Sequence, residues 1–127
     1  MKRLKLLAQL SIPTCPPSVN HYTKRTRSGG ITLTDEAKEF KRDVYQAIGS
    51  QAPHKPSEAR LAGEFVIHAP NKRAYDLDNK MKLILDALED ARFFKNDNQF
   101  DELLIKRGEP VDGGQVDITL CEIEETT

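Results

Sequence analysis

The sequence has only two cysteines and no long apolar run, and each shortage removes a class of protein. Cys15 and Cys121 are too few and too far apart in sequence for a disulfide scaffold or a Cys-based zinc site, so they read as two reduced thiols. The apolar stretches last only a few residues, against the roughly 20 needed to cross a bilayer. The basic start at Lys2, Arg3 and Lys5 leads into no cleavable signal pattern. These features predict a soluble cytoplasmic protein with no membrane partner. His21, His54 and His68 stand in three separate segments and make no metal-ligand spacing. Neither a Gly-x-Gly-x-x-Gly turn nor a P-loop is present, so no nucleotide cofactor is expected.

Net charge is also lacking. Lys and Arg total 19 against 20 Asp and Glu, a formal −1, which on its own argues against a phosphate-rich partner. The average hides a gradient. Residues 1–34 carry six basic groups (Lys2, Arg3, Lys5, Lys24, Arg25, Arg27) and no acid, whereas residues 112–127 carry five acids (Asp112, Asp117, Glu122, Glu124, Glu125) and no base. Such asymmetry permits a local polyanion-binding face. At 127 residues with 38% apolar content, the chain is expected to form a single domain over residues 1–127 with one core.

Leu4 to Ile12 is an apolar run closed by Pro13, the pattern of a first strand. A long segment rich in Pro, Ser, Thr, Gly and basic residues follows, and a loop of that length inside a compact domain is usually functional or disordered. Thr34 then opens a helix as N-cap, with Asp35 and Glu36 in the first turn and Ala37, Phe40, Val44 and Ile48 on one stripe. Gly49 ends it. Leu61 to Ala69 alternates as a second strand, and Leu77, Met81, Ile84, Leu85 and Leu88 recur as a second helix capped by Asp76 or Asp78. Leu103 to Glu109 and Gln115 to Ile123 read as two strands joined by Pro110-Val111-Asp112-Gly113-Gly114, a terminal hairpin. The order β-α-β-α-β-β predicts an α/β fold of α+β character: a mixed four-stranded sheet with two helices packed on it.

The most informative segment is Tyr75-Asp76-Leu77-Asp78-Asn79-Lys80-Met81-Lys82, between the second strand and the second helix, where α/β sheets often place their sites. Two carboxylates two residues apart can bracket a hard cation such as Mg²⁺. With Asp78 at the helix start, Lys82 shares its face and Asp86 lies one turn further on. The ordinary alternative is a helix cap worth ~1 kcal/mol plus a surface pair worth ~0.3–0.5 kcal/mol. Asp97 sits in a polar connection after the helix and approaches the helix start only if the chain folds back. Phe93, Phe94 and Phe100 read as packing residues, and His68 as a hydrogen-bonded residue of a strand face.

Three ordered segments resemble the RusA family of Holliday-junction resolvases, small Mg²⁺-dependent endonucleases of bacteria and their phages. Pro16-Pro17-Ser18-Val19-Asn20, followed by Tyr22 and a basic run, is similar to the family's Pro-Pro-Ser-x-Asn loop. Asp76-Leu77-Asp78-Asn79 with Lys82 resembles its Asp-Leu-Asp-Asn-x-x-Lys motif, continued by Leu85-Asp86-Ala87-Leu88. Asn96-Asp97-Asn98-Gln99 resembles its Asp-Asp-x-Gln segment, with Asn96 where the family often has another Asp. The matches run across about residues 6–123, nearly the whole chain.

The resemblance implies that Asp76, Asp78 and Asp97 hold Mg²⁺, or Mn²⁺ in its place, and that Lys82 stabilises charge at the phosphate. It implies a homodimer acting on four-way junction DNA, encoded by a bacterium or a prophage. Asn20, Tyr22, Lys24, Arg25, Arg27, Lys72 and Arg73 are the expected DNA contacts. Two further readings stand beside this one: a non-catalytic branched-DNA binding module whose acids are caps, and a nuclease of the same chemistry acting on flaps or forks.

Overall fold

In a computed structural model that describes residues 2–18 and 21–125, the alternation of the first apolar run becomes strand β1, Lys2–Ile12. Ala8, Leu10 and Ile12 are buried while Gln9 and Ser11 face out. A bulge between Leu6 and Ala8 shifts the parity, so Leu4 and Leu6 emerge on the exposed side. The following segment is not entirely loop. It holds a small hairpin, β2 (Thr23–Arg25) and β3 (Ile31–Leu33), turned through Gly29 at φ 88°. Strands of three residues carry too little alternation to be read from sequence.

Helix α1, Asp35–Ile48, forms as expected: the Thr34 hydroxyl accepts from Ala37 N–H at 3.2 Å, and Ala37, Phe40, Val44 and Ile48 are buried. Gly49 at φ 53° closes it. Strand β4, Arg60–His68, buries Leu61, Gly63, Phe65 and Ile67 in strict alternation. Helix α2, Met81–Asp90, follows a 3-10 turn at Asp78–Lys80 and buries Met81, Leu83, Ile84, Ala87 and Leu88; Leu77 and Leu85 of the expected stripe are only partly buried. Strands β5 (Phe100–Arg107) and β6 (Gln115–Glu125) complete the chain. Phe93 and Phe94 are fully buried, with Phe94 edge-on to Phe100 at 5.1 Å, so these rings pack. Among the described residues no helix is long and apolar enough to cross a membrane.

The four long strands form one mixed sheet in the order β1-β6-β4-β5, and the two helices join it in one core. The expected terminal hairpin is wrong. β5 pairs parallel with β4, and β6 inserts on the other side of β4, antiparallel to it and to β1. Burial explains the choice: β6 carries Val116, Ile118 and Leu120, all at 1% exposure or less, whereas β5 leaves Leu103 and Leu104 at 45% and 52%. Fully burying such a side chain is worth about 1.5–3 kcal/mol, so the more apolar strand takes the central place.

To reach it, the chain crosses the end of β4, held by Gly108 N–H to the Ile67 carbonyl and Val111 N–H to the Ala69 carbonyl, both at 2.9 Å. Gly113 and Gly114 then turn at φ 82°. A Cβ on Gly114 would lie 2.7 Å from the Cys15 backbone nitrogen, while one on Gly113 would meet nothing within 4 Å. Gly113→Ala is therefore expected to cost about 1–2 kcal/mol from its left-handed backbone alone, and Gly114→Ala about 1–3 kcal/mol more. Urea denaturation of the two variants checks the ranking; equal losses would contradict the close approach of the crossing to Cys15.

Candidate active site

The segment Tyr75–Lys80 leaves the carboxyl end of β4 and winds into α2, so it lies outside the carboxyl ends of the parallel pair β4 and β5. Asn79 shapes it: its N–H donates to the Asp76 carbonyl at 3.2 Å and its side-chain amide to the Asp76 carboxylate at 3.3 Å. The expectation that Asp76 or Asp78 caps α2 is not met. An N-cap needs extended backbone, but Leu77, Lys80 and Met81 are all right-handed helical, and neither the 3-10 turn nor α2 has a side-chain cap. Both carboxylates are exposed, and neither takes part in an ion pair among the described residues.

Lys82 stands one turn beyond Asp78, its ammonium 3.5 Å from the Asp86 carboxylate. Asp86 also accepts the Tyr22 hydroxyl, and burial together with this bond pushes the phenol well above its usual range. Tyr22 thus ties the long N-terminal loop to α2. A second tie is Lys80, whose ammonium donates to the Pro16 carbonyl at 2.9 Å. The two quoted motifs are therefore adjacent in space. Sequence reasoning missed Lys80, Tyr75 and Arg107 as supports. The Arg107 guanidinium lies 4.1 Å from the Tyr75 ring centroid and donates to the Tyr75 carbonyl at 3.1 Å, while the Lys80 ammonium lies 5.5 Å from the same ring. The available signal was positional: Arg107 ends a strand, and a cation at a strand's carboxyl end faces the region where α/β sites form.

Asp97 lies elsewhere. It begins a 3-10 turn, Asp97–Gln99, closed by a capping box between Asn96 and Gln99. Buried Gln99 accepts from the N–H groups of Lys95 and Asn96 and donates to the carbonyls of Ser57 and Ala59. Arg60 donates to the Asn98 carbonyl at 2.9 Å, and Asp97 N–H donates to the Glu89 carboxylate at 3.0 Å. Glu89 is in the last turn of α2. The turn is firmly built, and it presents the exposed Asp97 at the opposite end of α2 from Asp78. Ten helical residues span about 15 Å. One chain therefore places Asp76, Asp78 and Lys82 around the start of α2 and Asp97 beyond its end, and among the described residues no three acidic, His or Cys side chains converge to hold a metal.

Of the expected DNA contacts, Lys24 and Arg25 are exposed on β2, Arg27 in the turn beyond it, and Lys72 and Arg73 in the loop before Asp76. Lys24 is 4.0 Å from Asp35. Asn20 lies outside the described residues. His68 is a strand-face residue bonded through Nδ1 to the Glu109 carbonyl at 2.7 Å and through Nε2 to Asp117 at 3.1 Å. Burial would raise the Asp117 carboxyl, but hydrogen bonds from Gln115, Ser11 and His68 outweigh it and hold the group below its usual value.

Residues 13–120 match the family model described as Endodeoxyribonuclease RusA. The chain is 35% identical over 109 residues to the crossover junction endodeoxyribonuclease rusA of Enterobacteria phage HK97, which covers 86% of this chain and 90% of that protein. It is 27% identical over 108 residues to the crossover junction endodeoxyribonuclease RusA of Escherichia coli K12, with 85% and 89% covered, and equally to that of Enterobacteria phage 82.

Acids that neither cap nor pair contribute little to folding. Asp76→Asn, Asp78→Asn and Asp97→Asn are each expected to change the free energy of unfolding in urea by less than about 0.5 kcal/mol, where loss of a cap costs ~1 kcal/mol. Gln99→Met, which strands buried backbone groups, should lose about 1–3 kcal/mol. A loss above 1 kcal/mol in Asp76→Asn or Asp78→Asn would restore the capping role.

Proposed function

The chain belongs to the endodeoxyribonuclease RusA family, and on that premise we propose that it is a divalent-metal-dependent endonuclease that resolves four-way DNA junctions by paired, symmetric nicks. The observation that carries this reading is the pair of exposed carboxylates, Asp76 and Asp78, that cap nothing and stand beside Lys82 at the carboxyl ends of two parallel strands. Their donor set is oxygen alone, which fits a hard cation such as Mg²⁺, with Mn²⁺ in its place. When bound, the metal would supply positive charge at the scissile phosphate and acidify an attacking water. Lys82 adds a fixed cation where negative charge grows on the phosphoryl oxygens, and Asp86 keeps that ammonium oriented. Hydrolysis in this sense leaves 5′-phosphate and 3′-hydroxyl ends.

Asp97 enters through assembly. Because it stands at the far end of α2 in its own chain, we assign it to the site of a second copy: in a two-fold homodimer, Asp97 of each chain meets Asp76 and Asp78 of the other. An isologous dimer makes two such sites at once, matching a junction that must be nicked twice. Lys24, Arg25, Arg27, Lys72 and Arg73, with Asn20, grip phosphates, so binding rests mainly on charge and junction shape.

On a synthetic four-way junction with Mg²⁺, Asp76→Asn or Asp78→Asn should lower the nicking rate at least about 100-fold while junction binding persists. Unchanged cleavage would overturn the site; binding without cleavage by the parent chain would favour a binding module. Equal mixing of Asp76→Asn and Asp97→Asn chains should restore about a quarter of the nicks, because half the dimers are mixed and each holds one intact site of two. No recovery on mixing would place all three acids in one chain's site.

A further inference from the structure

A groove of about 290 Å³, lined by Tyr75, the residue before Asp76, opens between the loop after β4 and the chain leaving β5. Its cations are Lys72, Arg73 and Arg107, against a single acid, Glu109. Lys72 and Arg73 are exposed side chains on a loop, whereas Arg107 is held in place. Its guanidinium rests on the Tyr75 ring at 4.1 Å and donates one N–H bond, at 3.1 Å, to the Tyr75 carbonyl. A guanidinium has five N–H donors in a planar fork, and no other bond from Arg107 forms among the described residues. The ring contact and one backbone bond hold the guanidinium at the lining of a groove rich in cations, whose Tyr75 is one residue from a candidate metal ligand.

From this geometry we infer that Arg107 is a phosphate-binding residue of the groove, oriented by Tyr75, that seats the DNA backbone next to the scissile position. The inference rests on the nuclease reading but concerns binding, not hydrolysis. A stacked, forked cation loses little freedom when it meets a phosphate and grips two oxygens at once, which a lysine at the same place does not do. Arg107 also ends β5 opposite Ile67 of β4, so the seat is attached to the sheet and not to a free loop.

The test is binding of a four-way junction in EDTA, across a series of salt concentrations, with thermal melting to confirm folding. Arg107→Ala should bind several-fold more weakly at about 0.1 M salt, and the slope of log affinity against log salt should fall by about 1, the signature of one lost phosphate contact. Arg107→Lys should recover the slope but only part of the affinity. Tyr75→Leu, which keeps the charge but removes the stacking surface, should weaken binding with the slope retained. An unchanged slope in a folded Arg107→Ala protein overturns the inference, and unchanged affinity in Tyr75→Leu overturns the role of the ring. A parent chain that binds no junction overturns the nuclease reading and this inference together. Binding that depends on Arg107 without cleavage in Mg²⁺ overturns the nuclease reading alone.

Discussion

The parallel pairing of β4 with β5 is the constraint from which the site follows. Two parallel neighbours joined through a helix require that helix to run back along the sheet, so α2 starts at the carboxyl end of β4 and finishes near the amino end of β5. Asp76 and Asp78, just before α2, must lie at one end of the layer, and Asp97, just before β5, at the other. No change of rotamer closes a gap of about a helix length. The same pairing places Arg107, the last residue of β5, on Tyr75, the residue before Asp76. One chain thus holds Asp76 and Asp78 at one end of the layer and Asp97 at the other, and in the function proposed above a second copy supplies the missing acid.

The near balance of charge is compatible with a DNA substrate once the acids are located. Glu122 accepts the Ser57 hydroxyl at 2.5 Å, Glu124 lies 3.7 Å from Arg3, and Asp117 is bonded by His68, Ser11 and Gln115. Arg60 with Asp101, Lys95 with Glu58 and Lys106 with Glu64 pair across elements. Such exposed pairs add little to stability, yet together they neutralise charge locally, and none of their residues lines the groove beside Tyr75. Arg25, Arg27, Lys72 and Arg73 form no ion pair among the described residues. The surface offered to phosphate is therefore local, which accounts for a polyanion partner at a formal charge of −1.

Much of this was legible in the sequence because it is written in period and punctuation. The stripe Ala37, Phe40, Val44 and Ile48 between Thr34 and Gly49 specified α1, and the alternation from Leu61 to Ala69 specified β4. The Asp-Leu-Asp-Asn segment was legible as a family motif, and the family is the one that the chain matches. What was not legible depends on contacts distant in sequence. Adjacent strands β5 and β6 suggest a hairpin, and only the competition for the central place, won by Val116, Ile118 and Leu120, sends β6 across the end of β4. The absence of caps at Asp76 and Asp78 depends on three helical backbone conformations that no propensity dictates. The position of Asp97 follows from strand direction, and the stack of Arg107 on Tyr75 joins residues 32 apart.

Whether two copies complete each other's site is measured most directly by a crosslink. A chain carrying Asp78→Cys and Asp97→Cys, with Cys15→Ser and Cys121→Ser to remove the native thiols, is treated with a short bifunctional thiol reagent and resolved by mass. Position 78 of one chain should join position 97 of another, so the product has twice the chain mass even in dilute solution. A crosslink within single chains, or a monomer left unlinked while both thiols react, would contradict the shared site.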